Sequence, residues 1–438
     1  MPPLFCNLWF SIKAVSLIIK CLLCHQKERL PYKKSGKRRF LRRAREGSFL
    51  FSWQKGLFLQ SKMGKTPVWD IRKAYLLPDT MGAQHRRLAS LDILRGFDLF
   101  LLVFLQPVAC AVLWQIDAPA ARAILFQLDH EAWAGFRFWD LVMPLFLFIS
   151  GTSIPFSFGK MLASGGKAAV YRKVAKRFAV LFLLGMVVQG NLLGLDPHNI
   201  YIYTNTLQAI AAGYLITAMI VLNFKVKGQI IAAALLLAGY TVPMMLLGDY
   251  TPEGNFALRL DALVLGRFQG DPSYSWILSS LTFGVTVLLG AFAGQIIKKH
   301  GKTNPEKAAL FLFAIGMALV AAGLLWSLEM PIIKRIWTGS MTLFSGGLCF
   351  LLMWLFYWWI DVKRHSRGLN WLKIYGMNSI AAYMIGEVVN FRSAVQSVSY
   401  GLAPILGDFY EAWLTFGNFT IVFALLLAMY RCGVFLKV

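Results

Sequence analysis

Apolar runs of about 20 residues recur along this 438-residue chain, and each is long enough to cross a hydrocarbon core of about 30 Å as a helix. Inside a bilayer every backbone N–H and C=O must find its partner within the segment, so a chain of such runs folds as helices packed on helices. The expected fold class is all-α: a polytopic membrane helix bundle from residue 85 onward. Ten spans are expected, near 91–114, 138–158, 178–190, 203–222, 229–247, 276–297, 308–328, 337–360, 371–390 and 413–436. In a soluble protein a net charge of +24 would suggest nucleic acid, but with 57% hydrophobic and 15% charged residues the surplus reads as loop charge that sets orientation. The six cysteines are scattered, which argues against a disulfide framework.

The loops give that orientation. Loops 159–177, 223–228, 298–307 and 361–370 hold 15 Lys and Arg, whereas 115–137, 191–202, 248–275, 329–336 and 391–412 hold 7. The first set is therefore expected on the cytoplasmic side, together with both termini. Residues 1–84 stand apart as a basic tail, carrying 17 of the 45 basic residues against 4 acids, with a dense block at Lys33–Arg45. Such a block reads as solvated, disordered or bound to an anionic surface, and Met63 and Met81 are alternative starts downstream of it. Cys21-Leu-Leu-Cys24-His25 fits the c-type haem attachment pattern, but the basic run that follows favours the cytoplasmic side, where such haem is not attached.

Ionisable groups at membrane depth pair with one another or mark a functional cavity. Four acids fall inside the expected spans: Asp92, Asp98, Asp140 and Glu387. Asp92, Arg95 and Asp98 follow at i, i+3 and i+6 on the first helix, where they are expected to neutralise each other in the inner leaflet. Asp140, Glu387, Gln106 and Gln208 share the outer half with His130, the better placed of the two outward histidines and a side chain able to exchange a proton near neutral pH. His198, the other, follows Asp196-Pro197 in a turn and reads as a solvated loop residue. Gly376-Met-Asn378-Ser lies deeper in the ninth span, where its small residues suit close helix packing as well as a polar lining. No histidine or cysteine spacing outside the tail supports a metal, and none is expected.

Five blocks are familiar in this order: Arg87–Leu105 (RLASLDILRGFDLFLLVFL), His130 with Phe138–Gly151 (FWDLVMPLFLFISG), Thr206–Tyr214 (TLQAIAAGY), Pro331–Gly347 (PIIKRIWTGSMTLFSGG) and Tyr375–Val389 (YGMNSIAAYMIGEVV). Over about 350 residues the chain resembles the bacterial relatives of heparan-α-glucosaminide N-acetyltransferase. The resemblance implies that acetyl-CoA binds from the cytosol and that acetyl passes to an amino sugar on the far side through an essential histidine, which matches His130. It implies a catalytic asparagine late in the first helix, where this chain has Gln106, and an LQR block in the animal enzyme, where this chain reads Leu207-Gln208-Ala209. A bacterial inner membrane is the expected location, and a second copy of the chain, as a homodimer, is among the expected partners.

The leading expectation is a transmembrane acetyltransferase in which His130, Asp140 and Gln106 carry the chemistry. Gln208, Asn378 and Glu387 are expected to bind the sugar or glycan acceptor, and Asp92 and Arg95 to bind acetyl-CoA. Asp140 or Glu387 would orient the histidine. The alternative is a transporter of amino sugars or glycan fragments, for which polar residues at mid-membrane also serve. Against it, the two sets of five helices share no motifs.

Overall fold

In the computed structural model, which describes residues 88–189 and 191–436, the apolar runs are helices. Polar caps start several of them: Asn304 Oδ1 accepts Lys307 N, Thr338 Oγ1 accepts Met341 N, and Asn205 and Gln208 form a capping box. The main elements are α1 (Ala89–Leu113, with a π turn at Leu101–Leu105), α2 (Pro119–Gln127), α3 (Val142–Thr152) and α4 (Ile154–Val188). They continue with α5 (Thr206–Asn223), α6 (Val226–Leu247), α7 (Phe256–Leu265), α8 (Ser279–His300), α9 (Pro305–Trp326) and α10 (Gly339–Val362, ending in a π turn). Four more close the chain: α11 (Leu372–Met377), α12 (Ser379–Val388), α13 (Arg392–Ser399) and α14 (Tyr410–Arg431). Among the described residues no strand occurs, only the antiparallel bridge Ala134–Ile333.

Among the described residues eight helices are long and apolar enough to cross a membrane, and they fall on eight of the ten expected spans. The other two differ from expectation for identifiable reasons. The loop expected at 159–177 is helical: α4 runs through it and kinks at Gly166, whose φ of 66° is open to glycine without strain. The expected span at 178–190 is thus the end of a longer helix, and five basic residues from Lys167 to Arg177 interrupt its apolar character. The ninth expected span is broken at Asn378 (φ −116°, ψ 39°) into α11 and α12. The basic tail and the Cys21–His25 motif lie outside the described residues.

Helix α8 is the hub, with 72% of its most apolar window buried against 17% for α6, whose Ile231, Leu235, Met245 and Leu246 face outward. Small residues let its neighbours approach: a Cβ on Gly290 would sit 1.9 Å from the Phe148 carbonyl oxygen, and one on Gly151 1.8 Å from that of Val287, which locks α8 to α3. Helices α1 and α11 are joined in the same way through Gly96 and Gly376. The packing role of the Gly376 motif is therefore real.

Candidate active site

His130 lies in the loop between α2 and α3, and the loop's shape follows from its sequence. Gly135 takes a φ of 137°, a conformation that side chains resist, and donates its N–H to Ile332 O at 2.9 Å. With the Ala134–Ile333 bridge this binds the His130 loop to the segment before α10. Arg137 stacks 3.8 Å from the Phe126 ring centroid and pairs in bidentate fashion with Glu131 at 2.9 and 3.3 Å. That pairing pulls the Glu131 carboxyl below its ordinary range. His130 is held between two such anchors.

Behind the imidazole is Asp140, with no exposed surface. One oxygen, Oδ1, lies 2.9 Å from His130 Nδ1. The other accepts the backbone N–H groups of Arg137 at 3.0 Å and Glu131 at 3.2 Å. Lys334, from the bridged segment, completes the cluster: its Nζ is 2.8 Å from His130 Nδ1 and 3.3 Å from Asp140 Oδ1. Burial pushes the Lys334 ammonium down to about 8, with Asp140 pulling it back up. The imidazole itself keeps 39% of its side-chain surface exposed, so a reactant can reach its outer edge. Two proton arrangements fit. With the proton on Nδ1, it is donated to Asp140 and Nε2 is the unprotonated nitrogen, with Lys334 Nζ 3.3 Å away; with Nδ1 unprotonated, it accepts from Lys334.

The other expected site residues are placed as follows. Gln106 donates to Leu128 O at 3.4 Å, bracing the loop two residues before His130. Gln208 is spent internally: its Oε1 accepts Thr204 N and Asn205 N at 2.9 and 3.1 Å, and its Nε2 donates to Ile202 O at 2.6 Å. It holds the start of α5 instead of reaching into the site. Asn378 clasps the end of the chain, donating to Val434 O at 3.2 Å and accepting Leu436 N at 3.1 Å. Glu387 is exposed and makes no ion pair among the described residues, so Asp140 alone orients the histidine. The trio on α1 separates. Asp92 and Arg95 lie 3.9 Å apart and Arg95 also reaches Ser153 Oγ at 3.4 Å, but Asp98 turns away towards Cys349 and neither of its oxygens has a hydrogen-bond partner. Six residues rotate a helix by about 240°, enough to put Asp98 on a different face from Asp92.

A family model described as heparan-alpha-glucosaminide N-acetyltransferase, catalytic, matches residues 87–328, more than half of the chain. The chain belongs to this family. It is 23% identical over 394 residues to heparan-alpha-glucosaminide N-acetyltransferase of Mus musculus, covering 76% of this chain and 58% of that protein. The Homo sapiens protein of the same name is 24% identical over 396 residues, covering 75% and 57%. This heparan-α-glucosaminide N-acetyltransferase homologue thus spans under three fifths of the length of the curated relatives it matches.

Lys334 lies beyond the matched stretch and is the site residue that sequence reasoning missed. A signal existed: Lys334 and Arg335 are adjacent cations in a loop on the basic-poor side, against the charge pattern that orients the chain.

Proposed function

We propose that this protein is a multi-pass enzyme of a bacterial inner membrane that moves acetyl from cytosolic acetyl-CoA to the amine of a sugar on the opposite side. The observation that carries this reading is an accessible imidazole set on a buried carboxylate–ammonium pair, in a chain of this family. In the proposed step His130 Nε2 takes a proton from the attacking amine, whose nitrogen bonds to the thioester carbonyl carbon as the C–S bond breaks and CoA leaves as the thiolate. Asp140 holds the Nδ1 proton, and so the tautomer, and stabilises the imidazolium that forms. Lys334, cationic below pH about 8, keeps Asp140 ionised and offers positive charge beside the developing oxyanion. Gln106 positions the loop through Leu128.

For the nucleotide end of acetyl-CoA, Arg95 is engaged with Asp92 and Ser153, which supports a bracing role on the inner face. Arg177 on α4 is better disposed: its guanidinium sits 4.1 Å over the Tyr214 ring and its buried Nε has no partner. Arginine in that setting suits a phosphate.

The test is acetyl transfer from labelled acetyl-CoA to glucosamine by the purified full chain, compared with His130→Ala. Robust transfer by a folded His130→Ala protein would end the mechanism. A cysteine placed at His130 should react with an impermeant thiol reagent in intact cells and one at Ser366 should not; the reverse labelling would end the sidedness.

A further inference from the structure

The ends of α6 and α9 enclose an open recess of about 260 Å³. Met245 and the turn after α6, with Asp249 and Tyr250, form one wall, and Trp326, Glu329 and Met330, at the end of α9, form the other. Ligand pockets typically begin near about 300 Å³, so the recess suits a molecule the size of a headgroup and not a chain of sugars. One bond ties it to the candidate active site. Trp133 Nε1, three residues after His130, donates to Tyr250 O at 2.7 Å.

The lining pairs aromatic surface with negative charge, for its charged side chains are the two acids. Glu329 is exposed, makes no ion pair among the described residues, and adds to the rise that burial gives the Tyr250 phenol. Asp249 is set by its own turn. Its Oδ1 accepts Thr251 Oγ1 at 2.6 Å and Thr251 N at 2.8 Å, bonds that hold the carboxyl below its ordinary range, and Asn255 Nδ2 steadies the turn by donating to Thr251 O at 2.8 Å. Arg259 is the nearby cation; it lies outside the lining and donates to Leu247 O, so one negative charge of the pair is left unbalanced. Aromatic belts at a membrane interface would by themselves account for Trp326 and Tyr250, but not for two carboxylates beside them, which anionic headgroups repel. The flanks are apolar: Met245, Leu246 and Leu247 on α6 and Leu325 and Leu328 by the end of α9 face outward, on helices long and apolar enough to cross a membrane.

We propose that the recess binds the ammonium headgroup of a membrane lipid, held by Asp249 and Glu329 against the rings of Trp326 and Tyr250. An ammonium supplies the counter-charge and donors that the carboxylates lack, and the indole and phenol faces attract a cation. The acyl chains then cover the outward leucines of α6 and α9, which a soluble amine would leave bare. Through Tyr250 O and Trp133 the bound headgroup stiffens the loop that carries His130. The site needs no acetyl transfer, and its test reads none.

The full chain in detergent is titrated with a short-chain phosphatidylethanolamine, with the phosphatidylglycerol of the same acyl chains, and with free ethanolamine, following the thermal midpoint and the amide hydrogen exchange of residues 130–135. The phosphatidylethanolamine should raise the midpoint and slow exchange in the loop. The phosphatidylglycerol, equally apolar, should do neither at the same concentration, and ethanolamine should need a much higher one. Glu329→Gln should weaken the response to phosphatidylethanolamine about 10-fold, the usual order for one lost bond to a charged group. Adding Asp249→Asn, which keeps the acceptor for Thr251, should make the protein respond to the two lipids alike. Should that double variant melt early without lipid, the exposed Glu329→Gln decides alone. Equal wild-type responses to the two lipids overturn the proposal, as does an undiminished preference in Glu329→Gln. Ethanolamine acting at the concentration of the lipid would make the recess a site for a soluble amine and overturn the lipid, and thermal protection without slowed exchange would overturn the coupling to the His130 loop.

Discussion

Asp140 and Asp98 are both buried without exposed surface, yet they sit in opposite circumstances. Asp140 is met by an imidazole, an ammonium and two backbone N–H groups, all converging from loops that are themselves tied together. Asp98 is deep among the side chains of α1 and α10 with neither oxygen bonded. Burial alone therefore does not mark the candidate catalytic carboxylate in this bundle. What marks it is a set of partners that fixes a proton's position and leaves one edge of the imidazole open.

The largest expected effect tests the open edge: His130→Ala should reduce acetyl transfer by about 10² to 10⁴, the usual range for losing a general base, with the thermal midpoint nearly unchanged. Next, Asp140→Asn should lose transfer as well and also lose stability, by about 3 kcal/mol in chemical denaturation, because it strands the buried Lys334 charge. Replacing both groups, Asp140→Asn with Lys334→Met, should recover much of that stability but no activity. A double variant as unstable as the single one would show that the pair is not coupled.

A smaller effect is one of pH. Lys334 loses its proton near pH 8, so the rate should fall above that value, and Lys334→Arg should carry the falling limb to higher pH. The stability sign is the opposite. Because burial lowers the folded-state value from 10.5 to about 8, the folded protein sheds this proton first, and the Lys334 contribution to stability rises between those two pH values. A rate that keeps rising through pH 9 in the wild type would instead make neutral Lys334 the base. The smallest effect belongs to Asp98: with no hydrogen bond to lose, Asp98→Asn should alter stability by no more than about 1 kcal/mol and leave transfer intact. A large loss of either would erase the contrast with Asp140.

The contrast also explains how far the sequence could be read. Helix positions and the pairing of His130 with Asp140 were accessible, because apolar length sets the former and an acid at the mouth of a span needs a partner. The capping bonds of Gln208 were not singled out by its pattern, since its amide lies three residues after Asn205, a spacing that serves a helix cap as readily as a ligand. The exposure of Glu387 was not legible, because depth along a helix says nothing of the face a side chain takes. The place of Lys334 beside His130 follows from an Ala134–Ile333 bridge across some two hundred residues of chain, which no local pattern encodes. The kink at Gly166 lay in a segment whose basic residues imitate a loop.

The glycine contact between α1 and α11 has a mechanical consequence. At Gly96 and Gly376 the two helices meet backbone to backbone, with no side chain between them to change rotamer. Such a seam cannot slide by small adjustments, so α1, with Arg95 and Gln106 on it, moves together with α11 or not at all. Any breathing that lets a long acyl carrier enter and leave must then occur along seams filled by side chains, such as α4 against α5, and a Gly96→Ala protein would report how much of the catalytic cycle depends on that rigid half.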